Sequence, residues 1–497
     1  MSPSAKVDAL VAWATSNSAV LHPDVHIYQD AVTGFSFQVK PAATQPLAGD
    51  YTSGPPIVRL PAALSLSYLN AISPETPGAP LASPLLAAGA LPPHVLGRLF
   101  LIKEYLAGPS SFWHPYIQAL PQPADAGSWL LPAFWDADDA ELLEGTNVEV
   151  GLARIRDDLR RDLAAIQAVL LPLARGSTAD VQEESNKRLV DGFRPELYRW
   201  AYAIFSSRSF RPSLVLSDDE CRVLPPGVST DDFSVLLPLF DIGNHDMTAP
   251  VRWQRVAAGC ELQTSRAYQP GEQVFNNYSF KTNAELLLGY GFMIPPTAAL
   301  HNDYIHVRKR AAAAGGGGGG GGEASMSEEY LISARPLSDT SSVLARSKLP
   351  AVAGFDVEHA SSITPAFQHV QPDMVWDIFT AIAPGDACKQ LIPVDDNGED
   401  ADRRRRLLFL AGQVDGACLP YFAQTAAIIQ NKVIQELERL NETDVEVDDD
   451  ERARLTPCQK LALEYRDRCR VVLESTLEMM NNDKTLAAAM EAMGEEE

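Results

Sequence analysis

Residues 236–246, LLPLFDIGNHD, and residues 269–292, QPGEQVFNNYSFKTNAELLLGYGF, are the stretches whose reading decides the fold. In the first, Asp241, Asn244 and His245 stand directly behind an apolar run. In the second, Pro270-Gly271-Glu272 opens a short apolar run that ends on Tyr278. Ordinary strands or helices require neither arrangement. Taken singly, His245 reads as a hydrogen-bonded core histidine and Tyr278 as a buried strand tyrosine. The rest of the chain decides whether the pair is more than that.

The chain has 497 residues, enough for two or three domains and a sizeable core. Its 46% hydrophobic and 21% charged residues are ordinary globular values. A net charge of −24 argues against broad binding to a phosphate backbone, which needs clustered Lys and Arg, so no direct nucleic-acid partner is expected. The same charge suits a basic partner such as a lysine-rich segment, or plain solubility. Cysteines 221, 260, 388, 418, 458 and 469 are scattered, with no CxxC and no Cys/His cluster, which predicts neither a metal site nor a disulfide framework. No charged-then-apolar leader pattern opens the sequence, and no run approaches the ~20 apolar residues of a membrane span. A soluble monomer of the cytoplasm or nucleus, with no membrane partner, is the expectation.

Along the chain, a short amphipathic helix at Val7–Trp13 precedes strand-like pieces at Val25–Tyr28, Phe35–Val39 and Ile57–Leu60. Ser73–Pro93 is Ala/Pro/Gly-rich and reads as loop. Helical spacing appears at His94–Leu106, Leu152–Leu173 and Pro195–Ser207. Between the first two of these lies SSFWHPYIQALPQ, Ser110–Gln122, an irregular aromatic connection. Strands return at Ser234–Leu239, Glu261–Ser265 and Gln273–Asn277, with a hydrophilic spacer after His245. Ala311–Gly322, four alanines and eight glycines, is a flexible loop expansion. Beyond residue 360 the pattern is helical at Arg403–Val414, Pro420–Leu440 and Leu455–Met480, the last with Thr456 as N-cap and Pro457 at the first position. Asp444–Glu451 is a solvated acidic loop, and the tail after Asn481 is expected to fray.

Tyr278 in FNNYSFKTNAELLLGYGF, with Thr282-Asn283-Ala284-Glu285-Leu286 and Tyr290-Gly291-Phe292 behind it, resembles the catalytic segment of SET domains of the rubisco large-subunit methyltransferase-like class. Asp241-Ile242-Gly243-Asn244-His245 resembles that class's D-x-x-N-H segment, with Asp246 where serine is usual. Ser207-Arg208-Ser209-Phe210 resembles its S-R-x-F segment. Thr33-Gly34-Phe35-Ser36 stands where the class has its E-G-x-G loop, with Thr33 for the acid and Ser36 for the second glycine. Ser110–Gln122 resembles the S-x-W-x-P-Y-x-x-x-L-P signature, and is assigned packing and no chemistry. Arg208 alone also suits a helix C-terminus, where the dipole favours a cation.

The resemblance implies an α+β protein without zinc modules. A β-rich SET domain at 1–300 carries a helical insertion at about 94–230. A mostly helical substrate-binding domain follows at 301–497, beginning near Asn302-Asp303 and holding the poly-Gly loop 311–324. It implies S-adenosylmethionine as cofactor and a lysine side chain of a non-histone protein, such as a ribosomal or translation protein, as acceptor. Tyr278 is then the catalytic residue. Thr33, Gly34, Phe35, Arg208, Asp241, Asn244, His245, Tyr290, Gly291 and Phe292 border the cofactor, with Tyr290 and Phe292 also walling the lysine channel. The D-x-x-N-H stretch is expected to pass under the tyrosine segment in a knot-like crossing.

Displacement at a methylsulfonium asks for alignment and a neutral amine, not for a Ser-His-Asp set or a metal. A free lysine titrates near ~10.4, so neutrality at pH 7 costs about 4–5 kcal/mol, part of which a dry channel supplies. Two other readings stay open. One branch of the class methylates histidine, whose ring is already neutral near pH 7. A non-catalytic scaffold is the other, motivated by the irregular Thr33–Phe37.

Overall fold

The computed structural model describes residues 2–30, 33–51, 54–74, 77–87, 89–175, 184–309, 329–342, 361–383, 387–394 and 399–494. The glycine tract 311–324 lies outside them. The described residues form two compact units, 2–129 with 155–279 and 130–154 with 280–494. Leu130–Arg154 and residues 280–300, kept in the first domain by the sequence reading, thus group with the C-terminal unit.

In the first unit the strands are β1 (Val20–Leu21), β2 (Val25–Asp30), β3 (Gly34–Val39), β4 (Val58–Pro61), β5 (Leu66–Ser67), β6 (Ser209–Phe210), β7 (Val235–Leu236), β8 (Val251–Val256), β9 (Gly259–Thr264) and β10 (Gln273–Val274). They form small antiparallel sheets in the orders β1-β4-β9-β8, β10-β3-β2 and β5-β7-β6. Phe37 in β3 faces Ile27 on one side and Val274 on the other, which brings β10 onto the N-terminal hairpin. Leu236 in β7 faces both Leu66 and Ser209, which brings Arg208 to the start of the 236–246 stretch.

Helices α1 (Pro3–Ser16), α2 (Pro93–Ala107), α3 (His114–Ala119), α4 (Glu149–Arg175) and α5 (Pro195–Arg208) follow in chain order. Proline opens α2 and α5 where its missing N–H costs nothing, and Glu196 and Arg208 match the dipole at the two ends of α5. Trp113 is fully buried, edge-on to Phe100 at 5.6 Å, and donates Nε1–H to the Leu64 carbonyl at 3.0 Å. Burying one such ring contributes about 2–3 kcal/mol.

The second unit holds α6 (Asn283–Tyr290), the hairpin β11 (Tyr304–Arg308) and β12 (Glu329–Ser333), then α7 (Pro372–Ile382), α8 (Glu399–Leu410), α9 (Leu419–Glu442), α10 (Pro457–Asn481) and α11 (Lys484–Gly494). Phe367, Phe379, Phe409 and Phe422 make its aromatic core. Arg466 of α10 is buried as a hub. Its Nη1 donates to the carbonyls of Leu142 and Glu144, and its Nη2 to the Leu440 carbonyl and Thr443 Oγ1.

Several expectations are corrected. The hydrophilic spacer contains strand β8, an edge strand in which Arg252 and Trp253, on opposite faces, are both exposed, and this blurs the apolar alternation. The strands expected at 234–239 and 273–277 are two residues each: beyond Leu236 the backbone turns, with Asp241 N–H on the Leu237 carbonyl and Ile242 N–H on that of Leu239, and beyond Val274 it keeps only the bridge between His245 and Asn276. Ser110–Gln122 includes α3, opened by Pro115. The acidic stretch ends in a short helix, Asp449–Arg452. The tail forms α11 because Leu486 and Ala489 bury one face and Asp483 Oδ1 caps its first amides. Hairpin β11–β12 and helix α7 were not foreseen.

Candidate active site

After β10 the chain runs irregularly through Asn276 and Asn277 to Tyr278 and lies beside 243–246. Asn276 N–H donates to the Asn244 carbonyl at 2.8 Å, Asp246 N–H donates to the Asn276 carbonyl at 2.9 Å, and His245 bridges Asn276 in parallel sense. The Asn276 side chain is wholly buried; Nδ2 donates to the Phe240 carbonyl at 3.0 Å and Oδ1 accepts from Trp253 Nε1 at 2.9 Å. Asn277 Nδ2 donates to the carbonyls of Met247 and Ala249. The approach is close: a Cβ on Gly243 would stand 3.1 Å from Asn276 Cβ and 3.2 Å from Phe37 Cδ2, so either neighbour would have to give by a few tenths of an ångström. Asp246 caps a turn through Oδ1, which accepts from the N–H and hydroxyl of Thr248.

Tyr278 is locked to this segment at three points. Its N–H donates to His245 Nδ1 at 3.1 Å, and its ring stacks on the imidazole with centroids 4.8 Å apart and planes 8° apart. Because Nδ1 accepts, a neutral His245 carries its proton on Nε2. The Tyr278 hydroxyl donates to the Gly243 carbonyl at 2.9 Å. A phenol has one proton, so with that proton committed the oxygen offers lone pairs to an approaching group. Both segments pass through left-handed backbone at a non-glycine residue, Leu239 (φ 72°) and Ser279 (φ 81°). Each costs on the order of 1 kcal/mol, and this explains the small residue after the tyrosine.

The N-terminal hairpin reaches the same place. Asn244 Nδ2 donates to Thr33 Oγ1 at 2.7 Å and to Gln273 Oε1 at 3.0 Å, while its backbone N–H donates to Ser36 Oγ at 3.3 Å. Thr33 in turn donates its N–H and hydroxyl to Asp30 Oδ1. Gly34 turns the hairpin at φ 84° with nothing within 4 Å of its missing Cβ, and Phe35 pairs with Gln29.

Arg208 Nη1 donates to the Asp241 main-chain carbonyl at 2.8 Å and stands 3.6 Å from Asp241 Oδ2. The arginine side chain keeps 26% of its surface exposed, whereas that of Asp241 keeps 1%. Tyr116 of α3 donates its hydroxyl to Asp241 Oδ2 at 2.9 Å. Burial pushes the Asp241 carboxyl above its usual range, against the opposing pull of Arg208 and Tyr116. Burial, with the Asp241 charge, pushes the Tyr116 phenol well up.

The first unit therefore brings together Thr33, Ser36, Arg208, Asp241, Asn244, His245 and Tyr278. In the second unit Tyr290 ends α6, Gly291 takes the left-handed C-cap at φ 76°, and the rings of Tyr290 and Phe292 meet edge-on at 6.1 Å. Three participants escaped the sequence reading: Asn276, Trp253 and Tyr116. The double asparagine before Tyr278 was a usable signal, since amides that follow an apolar run directly need backbone partners where they are buried. Trp253 gave none, standing in a segment read as spacer.

No protein-family model matches the chain. It is 29% identical over 231 residues to the ribosomal lysine N-methyltransferase set10 of Schizosaccharomyces pombe, a match covering 44% of this chain and 36% of that protein. It is 25% identical over 327 residues to the protein-lysine N-methyltransferase EFM1 of Saccharomyces cerevisiae, covering 58% of this chain and 49% of that one. The actin-histidine N-methyltransferase of Homo sapiens is 28% identical over 188 residues, covering 37% of this chain and 27% of that protein. The chain thus matches at most about half the length of these relatives. Among solved structures, the SET domain of LSMT bound to lysine and AdoHcy superposes with a TM-score of 0.58 at 15% identity, over 97% of this chain and 92% of that one. Rubisco LSMT bound to AdoMet gives 0.54 at 15%, over 96% and 91%. The chain thus shares the fold of these SET-domain structures and is similar, over part of its length, to the named protein methyltransferases.

Proposed function

We propose that the chain is an S-adenosylmethionine-dependent protein-lysine N-methyltransferase acting on a non-histone protein, a ribosomal or translation protein in particular. The observation that carries this is Tyr278, stacked on His245 with its hydroxyl proton held by the Gly243 carbonyl. That arrangement leaves the phenol oxygen as a fixed acceptor, able to orient an amine N–H or a polarised methyl C–H without moving a proton itself.

The residues present suit the cofactor. Arg208 is anchored through one nitrogen and partly exposed, so the rest of its fork is available to a carboxylate. Asn244 spends its amide protons on Thr33 and Gln273, which leaves Oδ1 to read a ligand donor. Thr33, Gly34 and Phe35 border the same place with open backbone at Gly34. When bound, S-adenosylmethionine supplies the methyl group; the chain supplies alignment and a polar end to a dry passage.

Residues 1–300 are proposed as the SET domain with its insertion, with Tyr290, Gly291 and Phe292 bordering cofactor and lysine. Residues 301–497 are proposed as the docking domain for protein substrate. The chain is proposed to act as a monomer, without nucleic acid or membrane, in the cytoplasm or nucleus. Among the described residues no helix is long and apolar enough to cross a membrane.

The test is incubation of the purified chain with hypomethylated cell extract and methyl-labelled cofactor, then mass spectrometry of the labelled band. A methylated lysine on a non-histone protein is expected. Label on a histidine would favour the second reading, for which the actin-histidine relatives speak. Cofactor binding without label on any protein would sink the enzyme assignment in favour of a scaffold.

A further inference from the structure

The signature Ser111-x-Trp113-x-Pro115-Tyr116, to which the sequence assigns only packing, contributes a side chain to the cofactor side of the site. Resting on the cofactor reading above, we propose that Tyr116 is a positioning residue that acts through Asp241 to hold Arg208 in the orientation that takes the cofactor's carboxylate.

Three observations converge on this. First, the signature is built as an anchor. Ser111 Oγ donates to Glu104 Oε2 at 2.6 Å, Trp113 is wholly buried with its indole N–H on the Leu64 carbonyl, and Pro115 lies in the first turn of α3. Tyr116, 1% exposed, is thereby delivered to Asp241 from 125 residues earlier in the chain. A packing tyrosine has no need to end on a carboxylate.

Second, Asp241 is too deeply buried to be a flexible ion-pair partner. Among the described residues Oδ1 meets no side-chain donor, while Oδ2 takes the Tyr116 hydroxyl at 2.9 Å and faces Arg208 Nη1 at 3.6 Å, so the Tyr116 hydroxyl is the shortest contact fixing the carboxylate's rotation. A buried carboxylate stripped of its closest donor is driven to turn or to protonate, since its charge is then less well solvated. The charged groups facing Asp241 are Arg208 from α5, with Tyr116 from α3 as the facing titratable group.

Third, Arg208 depends on Asp241 at two points. Nη1 sits on the main-chain carbonyl at 2.8 Å and lies 3.6 Å from Oδ2, while the side chain stays partly exposed. The main-chain bond pins one nitrogen; the carboxylate sets the plane of the fork around it. Bidentate recognition depends on that plane. Tyr116 thus touches no ligand, and its influence on binding passes through Arg208.

A double-mutant cycle read by calorimetry with S-adenosylhomocysteine tests this. Tyr116→Phe keeps the buried ring and removes only the hydroxyl. It is expected to weaken S-adenosylhomocysteine about fivefold in the wild-type background and less than about twofold in the Arg208→Lys background, since residues acting through one another are non-additive. Asp241→Asn, which still offers Tyr116 an oxygen but removes the charge facing Arg208, is the companion variant and is expected to show the same dependence on Arg208. Equal losses in both backgrounds, or no loss in either, would overturn the inference, because a merely structural tyrosine affects binding independently of Arg208. Wild-type chain that binds no S-adenosylhomocysteine would overturn the cofactor reading itself, and this link with it. Wild type that binds while Tyr116→Phe matches it overturns only the role of Tyr116.

Discussion

In α9 and α10, 24 and 25 residues long, the interior backbone bonds close within each helix, and the buried positions recur along one face. In the stretch where 240–246 lies beside 273–278, the neighbouring strands are two residues long, and the hydrogen bonds run between side chains and backbone up to 36 positions apart. The helices are local structures that packing stabilises. The crossing is nearly all non-local, so no part of it is worth forming until both segments are in place. Strain gathers at the crossing as well: Leu239 and Ser279 sit in left-handed backbone, and both flank the chemistry.

That contrast sets how strongly each region should respond to a single change. The largest effect is expected at Tyr278→Phe. Loss of the fixed phenol oxygen should lower labelled methyl transfer by about 10²–10³-fold. S-adenosylhomocysteine affinity should change less than about twofold, because the ring still stacks on His245. Full activity in this variant would mean that the hydroxyl has no role in the reaction.

Asn276→Ala should come next. It strips donors and acceptors from Phe240 and Trp253 in a fully buried place, at about 2–4 kcal/mol. Urea unfolding followed by tryptophan fluorescence reads that loss; a change below about 1 kcal/mol would mean the amide is not the pin of the crossing.

An intermediate case is His301, which is 1% exposed and stacked on Tyr304 at 5.0 Å beside hairpin β11–β12. Burial, then the Arg335 charge, lowers its pKa from 6.5 to about 4. The unfolded chain accepts a proton near 6.5 that the folded one refuses until about 4, so stability is complete above that window and is lost as pH falls through it. The loss is at most roughly 3 kcal/mol, from about 1.36 kcal/mol per pKa unit. Hydrogen exchange of the β11 and β12 amides at pH 7 and pH 5, corrected for intrinsic rate, should show it. Equal protection at both values would remove His301 from the account.

The smallest effect belongs to the helical region. Thr456→Ala removes one N-cap of α10, whose hydroxyl oxygen accepts from Gln459 N–H at 3.0 Å, and should cost about 1 kcal/mol in the same urea assay. A larger loss there than at Asn276 would reverse the comparison.

Legibility in the sequence followed the same division. Helices α2, α4, α5, α9 and α10 were visible through spacing, and Thr456-Pro457 marked where α10 starts. At the site, motif likeness singled out Tyr278, Asn244, His245 and Arg208, which spacing alone could not have done. Strand β8 was hidden because an edge strand half in water carries no apolar alternation, and Trp253 was hidden with it. Helix α11 was read as fraying because its short apolar residues matter only once a surface exists to bury them.

By itself the sequence determined the longer amphipathic helices, the chain breaks at Gly34 and Gly271, and which residue types could align a methyl transfer. These depend on spacing and on local backbone preference, which a linear string records. Only the tertiary structure decided that Tyr278 stacks on His245, that Asn276 pins two distant segments, and that Tyr116 ends on a buried aspartate. Those outcomes rest on hydrogen bonds between residues far apart in sequence, made where water is excluded, and no local pattern encodes which donor will meet which acceptor.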